Sequence, residues 1–327
     1  TNEYLFSIIF KVSKNELEKL YEMKKKIFKK IALLLLLLSC FSAVACSQID
    51  KSVIKMVDIK LTEEEYAFVC KKGNTALAQS MNDFMSEIKA NGEFDALVAK
   101  YFKGEGEKIG YPIATGDVQN TKDNFVVATN CPFAPFEYME NDGLIYGLDI
   151  EIAASYAESH GLELVIKNIG FNDIFVQVDA GYADIGMAGI TVDAEREKTY
   201  DFTKPYYEAS QKLIVLSGNS DFDKCESVSD VEAMLSSLNG VGVGFQSATT
   251  GSLYICGDES WGFEGFANLD GKAYANAQVA VSDLINGNIY AVVLDEAPGD
   301  AIVDATNAAS SLNLGAKLEN FINTLSN

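Results

Sequence analysis

Residues 125–216 read FVVATNCPFAPFEYMENDGLIYGLDIEIAASYAESHGLELVIKNIGFNDIFVQVDAGYADIGMAGITVDAEREKTYDFTKPYYEASQKLIVL. Short strand-like runs alternate here with helical faces. FVVAT at 125–129, LVIK at 164–167, DIGMA at 184–188 and KLIVL at 212–216 have the compact apolar character of buried strands. Residues 149–160 place Ile150, Ala153, Tyr156 and Ala157 on one helical face, and Gly161 stops the helix. Downstream follow a strand VGVGF at 241–245, a helix after Thr249, a helix near 277–286, a strand AVVLD at 291–295 and a helix near 297–309. Upstream the pattern gives strands near 53–59 and 65–70 and helices near 74–90 and 94–102, separated by Asn91 and Gly92. Residues 103–123, KGEGEKIGYPIATGDVQNTKD, are Gly-rich and polar and read as a linker. Strands alternating with helices of about three turns define an α/β fold.

A chain of 327 residues that is 48% apolar is long enough for two cores. Residues 1–45 hold 8 Lys and Arg against 4 Asp and Glu, so the remainder carries 18 against 43. Such an acidic surface repels nucleic acid and anionic lipid, which excludes both as expected partners. There is no CxxC motif, and His160 is the one histidine, so neither a metal site nor a cofactor is expected. Cys225 and Cys256 fall in the same half of the chain; pairing and free thiols both remain open.

Several motifs in the quoted stretch resemble the extracellular amino-acid-binding proteins of bacterial ABC importers. ATNCPFAPFEY at 128–138 is similar to the family's ATDxxYPPFEF, GITVDAER at 189–196 to GMTITPER, and QSATTG at 246–251 to QxGTTG. Residues 61–102, LTEEEYAFVCKKGNTALAQSMNDFMSEIKANGEFDALVAKYF, resemble the segment that closes the same family. Here that end precedes the beginning. The resemblance implies a two-lobe, type II periplasmic-binding-protein-like α/β fold, circularly permuted, with a hinge of two crossover strands near 59–65 and 208–214. Lobe 1 is then residues 61–212, with the linker 103–123 joining the family's old ends, and lobe 2 is residues 46–60 plus 213–327. A tail fused to a truncated second gene is the rival explanation. Each family element occurs once, however, and the strand missing after the last helix is supplied at 53–70. Permutation at exposed loops is a tolerated change.

The resemblance also implies a constellation for a free amino acid, whose two charged ends each need a partner once water is excluded. Arg196 would pair with the ligand carboxylate in the bidentate way that guanidinium allows. Ala188 and Gly189 would bring backbone close, with Gly189 presenting its N–H, and Thr191 would offer a hydroxyl. Thr249 and Thr250, at a helix start, would add a second carboxylate contact. Asp295, at the end of AVVLD, would take the ammonium. Phe133 and Phe171 would cover the ligand side chain and Asn130 would meet it. Asn130 stands where the family has aspartate, which favours a polar or neutral L-amino acid. Ala248 stands where the family has glycine. Trp261 and His160 read as structural, and Phe136 as core.

The N-terminal segment 1–45 reads as upstream and targeting sequence. Lys24, Lys25, Lys26, Lys29 and Lys30 precede an apolar run from Ile31 to Leu38, too short to span a bilayer as a stable helix. SAVAC at 42–46 resembles a lipobox and would make Cys46 the lipidation site, with Cys40 the alternative. Met23 is the natural start, which leaves open whether residues 1–22 are translated. The reading is a monomeric, exported membrane lipoprotein facing the periplasm or cell exterior, which delivers its amino acid to an ABC permease. It is not an enzyme. The alternatives are a dehydratase-like enzyme on the same fold, with Glu137 the nearest general acid by sequence, and a sensor domain. A sensor would need a downstream transmembrane helix and a signalling domain, which the sequence to Asn327 does not contain.

Overall fold

The computed structural model describes residues 52–116 and 118–326, with side chains to residue 312. The segment read as targeting sequence, with Met23, Cys40 and Cys46, lies outside the described residues. No helix among the described residues is long and apolar enough to cross a membrane.

Two five-stranded mixed sheets form the two lobes. The strands, in chain order, are β1 (Ile54–Val57), β2 (Glu64–Tyr66), β3 (Val69–Lys71), β4 (Asn124–Thr129), β5 (Tyr138–Met139), β6 (Ile145–Tyr146), β7 (Glu163–Asn168), β8 (Ile185–Gly186), β9 (Tyr200–Phe202), β10 (Tyr207–Ala209), β11 (Gln211–Leu216), β12 (Gly242–Gln246), β13 (Asp270–Tyr274) and β14 (Ala291–Asp295). The helices are α1 (Thr75–Ala90), α2 (Glu93–Lys103), α3 (Leu148–Ser159), α4 (Phe171–Ala180), α5 (Ala194–Thr199), α6 (Val228–Ser237), α7 (Thr250–Cys256), α8 (Ala277–Ile285) and α9 (Glu296–Ser326). One sheet has the order β7-β4-β8-β3-β9 and the other β1-β11-β14-β12-β13. β4 runs parallel to β7 and β8, while β3 is antiparallel to β8 and β9. In the second sheet β12 is parallel to β13 and β14, and β11 is antiparallel to β14 and β1. The central strands are buried on both faces, which is why FVVAT and AVVLD are continuous apolar runs rather than alternating ones.

The sheets are joined twice. One connection runs from β1 through β2 to β3, the other from β9 through β10 to β11. β2 and β10 pair antiparallel, with Tyr66 opposite Tyr207 and Glu64 opposite Ala209. The two connections therefore form one hydrogen-bonded ribbon. Its Tyr66 is fully buried against the rings of Phe133, Phe136 and Tyr207.

The early segment is built into the first lobe. Helix α1 buries Ala78, Met81, Phe84, Met85 and Ile88 on one face. Helix α2 is tied to α3 by Glu151, which is 5% exposed. Its carboxylate accepts from Lys100 Nζ at 2.6 Å and from Ile109 N at 3.1 Å, and also from the Tyr101 hydroxyl. A buried acid needs such a full set of donors. The stretch read as a linker is not free either. Tyr111 and Ile113 form bridges to Ile145 and Ile166.

Some expectations need correction. The last helix extends far beyond 309, to Ser326. The strand read over 184–188 is only Ile185–Gly186, because the chain turns at once into the cleft. Of the two readings left open for Cys225 and Cys256, the structure has the free thiols.

Strand β1 is an edge strand, and α9 finishes it. Asn307 Oδ1 accepts from Val53 N at 2.7 Å and Ile54 N at 3.3 Å, and its Nδ2 donates to Ile54 O at 2.9 Å. One side-chain amide thus does for the edge what a further strand would do. Asn307→Ala is expected to lower the unfolding free energy by about 1–3 kcal/mol, the cost of stranding these groups. Urea titration checks this, and an unchanged midpoint would contradict it.

Candidate functional site

A cavity lies between the lobes, beside the ribbon. Asn130, Phe133, Glu137, Phe171, Ala188, Gly189, Thr191, Arg196, Gln246, Thr249, Thr250 and Asp295 line it. All ten residues expected from the sequence are in this set. Glu137, considered from the sequence only as a general acid for the enzyme alternative, and Gln246 are the additions. His160 stacks instead on Tyr156, and Trp261 on Phe263. The cavity volume is only ≈ 20 Å³. The walls are therefore drawn almost together, with room for about one water.

Arg196 sits in α5, whose N-cap Asp193 accepts from the backbone N–H of Glu195 and Arg196 at 2.8 Å each. The same Asp193 pairs with Arg196 Nε at 3.0 Å. Nη1 donates to Thr191 O at 2.7 Å, and Nη2 reaches across the cleft to Ala248 O at 3.1 Å. The guanidinium lies 5.7 Å from the Phe171 ring centre and 5.2 Å from that of Phe175. Burial pulls its pKa down, while Asp193, Glu64 and Asp295 pull it back up. Phe171 is thus a platform for Arg196 as well as a cavity wall.

Asp295 ends β14 and is 6% exposed. Its Oδ1 accepts from the Tyr66 hydroxyl at 2.5 Å. Burial and the neighbouring Glu64 hold this carboxyl well above its ordinary range. The group needs a cation beside it to ionise comfortably.

Glu137 differs from Asp295, the other acid that lines the cavity. It is fully buried, and neither carboxylate oxygen has a hydrogen-bond partner among the described residues. Burial, with Asp149 and Cys131 nearby, pushes its pKa well up. An unpaired acid at this depth costs free energy unless something cationic or a donor meets it.

Two expected roles change. The Gly189 N–H, expected to face a ligand, donates to Asp149 Oδ2 at 3.1 Å. Asp149 is fully buried, also accepts from the Tyr206 hydroxyl at 2.6 Å, and is pushed to about 7 by burial. Gly189 is needed for its backbone: its φ is +53°, and a Cβ there would lie 2.6 Å from Phe133 Cε1. Asn130, expected to meet the ligand side chain, donates to Ile169 O at 2.6 Å and accepts from Gln246 Nε2 at 2.8 Å. Both ends of its amide are used, one of them across the cleft. Thr249 holds the N-cap position of α7, but its hydroxyl donates to Gln246 O at 2.8 Å rather than capping the helix.

Ala248, where the family has glycine, keeps a glycine-like backbone. Its φ is +61°, the one left-handed non-glycine among the described residues. A side chain in that region is strained by roughly 1–2 kcal/mol. The strained turn aims the Ala248 carbonyl at Arg196. Ala248→Gly is expected to raise the unfolding free energy by about 1 kcal/mol. Chemical denaturation checks this, and a loss of stability would contradict it.

Comparison with known proteins agrees with this geometry. The family described as bacterial extracellular solute-binding proteins, family 3, matches residues 125–325. A probable histidine-binding protein of Neisseria gonorrhoeae is 28% identical over 202 residues, 62% of this chain and 68% of that protein. The arginine-binding extracellular protein ArtP of Bacillus subtilis is 29% identical over 96 residues, 29% of this chain and 37% of that protein. The chain thus spans about two thirds of the first of these relatives and about a third of the second. The solved structure of an ancestral arginine-binding protein bound to arginine superposes with a TM-score of 0.50 at 29% identity, covering 58% of this chain and 78% of that one. The chain belongs to the bacterial extracellular solute-binding proteins of family 3, the amino-acid-binding receptors of ABC import systems, a family of binding proteins and not of enzymes.

Proposed function

We propose that this protein captures a free L-amino acid with a basic side chain between its two lobes and hands it to an ABC permease. Arg196 takes the carboxylate, helped by the start of α7 at Thr249 and Thr250. Asp295 takes the ammonium. Phe133 and Phe171 cover the ligand stem, and Glu137 receives its cationic tip. What carries this reading is the opposed pair in one cavity: a half-buried guanidinium on one lobe and a buried acid on the other. Such a pair matches the two poles of a zwitterion.

The choice of a basic side chain rests on Glu137. The asparagine at 130, where the family has aspartate, takes one negative charge from the cavity and by itself favours a neutral ligand. Glu137 also lines the cavity, and its carboxyl has no hydrogen-bond partner among the described residues. The names of the relatives, histidine-binding and arginine-binding, point the same way.

The order of the chain is read as a circular permutation, with residues 61–212 as lobe 1 and residues 46–60 plus 213–327 as lobe 2. In support, β3 sits inside the first sheet and β1 completes the edge of the second. Among the described residues no strand follows β14. A lipid anchor at Cys46 would hold the receptor at the outer face of the membrane.

A thermal-shift and calorimetric panel of the twenty amino acids plus L-citrulline tests the function. At about 100 times Kd the ligand should stabilise the wild type by roughly 2.7 kcal/mol. L-arginine, L-lysine or L-histidine should lead the panel. Arg196→Ala should lose the response, and Glu137→Gln should lose the preference for L-arginine over neutral L-citrulline. Asp295 and Glu137 must shed protons to pair with cations, so affinity should fall as pH drops from about 8 to about 5.5. A full response from Arg196→Ala would refute the site. Equal binding of citrulline and arginine by the wild type would return the ligand to the polar or neutral class.

A further inference from the structure

Glu64 belongs to the ribbon, not to the cavity wall, yet it is only 6% exposed. Each of its carboxylate oxygens accepts one hydroxyl. Thr62 Oγ1 donates to Oε1 at 2.6 Å, and Thr191 Oγ1 donates to Oε2 at 2.7 Å. The Thr62 hydroxyl itself accepts from Gln211 N at 2.8 Å. A threonine hydroxyl has one proton to give. Thr62 receives the Gln211 N–H and passes its own proton to Glu64. Thr191, which lines the cavity, has likewise given its proton away.

The remaining lone pairs of Thr191 Oγ1 can therefore only accept. Thr250 Oγ1 stands 3.4 Å away as a weak donor. The backbone around Thr191 is fixed as well. Val192 N donates to Glu65 O at 2.9 Å and Ala67 N to Ile190 O at 3.0 Å, which lays the loop along β2. The Thr191 carbonyl is held by Arg196 at 2.7 Å. From Gln211, which opens β11, a hydrogen-bonded chain runs through Thr62 and Glu64 to the cavity.

We propose that Glu64 is a positioning residue of the ligand site: by holding the Thr191 proton it presents Thr191 Oγ1 as an acceptor to the ligand's α-ammonium. Thr191 then shares the ammonium with Asp295, rather than offering a donor to the carboxylate. Through Thr62, Glu64 also ties that acceptor to Gln211 at the start of β11. This rests on the amino-acid reading of the cavity. A glutamine at position 64 can turn a donor toward Thr191, which frees the hydroxyl to rotate.

Calorimetry with L-arginine and with δ-guanidinovalerate, arginine without its α-amino group, tests the role. Glu64→Gln is expected to weaken L-arginine about 10-fold or more while changing δ-guanidinovalerate less than about 2-fold. Thr191→Val should show the same discrimination, and the double variant should bind L-arginine no more weakly than Thr191→Val. Equal losses for both probes, or multiplying losses in the double variant, would reduce Glu64 to a structural role and overturn the proposal. Should Glu64→Gln fail to fold, Glu64→Asp, one methylene too short to keep the Thr191 hydroxyl, takes its place with the same pair of probes and the same expected outcomes. A wild type that binds neither probe contradicts the basic-ligand reading instead. The pair then becomes L-glutamine and glutaramate, with the same expected outcomes.

Discussion

Everything in this structure turns on keeping one guanidinium charged while most of it is withdrawn from water. Arg196 is held by Asp193 beneath it, by Phe171 and Phe175 beside it and by the Ala248 carbonyl from the opposite lobe. Burial of an ion is tolerated only when nearby donors and charges replace the lost hydration. Three acids supply that replacement: Asp193, Glu64 and Asp295. They come from the Arg196 helix, from the hinge ribbon and from the far lobe. The charge of a single side chain thus joins both halves of the fold.

Closure and recognition share the same atoms. Arg196 reaches Ala248, Gln246 reaches Asn130 and Gln278 Nε2 reaches Pro132 O at 3.4 Å, each across the cleft. A ligand entering must part these walls and then be gripped by them. The ribbon of β2 and β10 suits such motion, since two paired crossover strands can flex together while the sheets stay rigid. Lys212 marks the second crossover with ion pairs to Asp58 and Glu296 at 2.7 Å each, which holds the two connections in register.

Much of the fold was legible because buried parallel strands write themselves as unbroken apolar runs. AVVLD at 291–295 is an exact case, from first residue to last. The short elements were not legible. β8 spans two residues and α5 six, too few for periodicity to register. The site was legible wherever a motif carried both a residue type and a turn. GITVDAER placed a glycine, a threonine and an arginine around one bend, and all three line the cavity. What motifs could not give was the direction of each hydrogen bond. Whether Gly189 N–H faces the cleft or Asp149 depends on a helix 40 residues away in sequence. Glu137 was visible in PFEY, but strand alternation from Phe136 did not tell which way it points. Its unpaired burial is a tertiary fact, set by the walls that close around it.

A crystal structure of the protein grown with L-arginine tests the central claim most directly. The account expects the ligand carboxylate on the Arg196 guanidinium and its ammonium beside Asp295, with the lobes closed over both. An amino acid lying elsewhere, or one touching Arg196 while Asp295 faces away from it, would contradict the account.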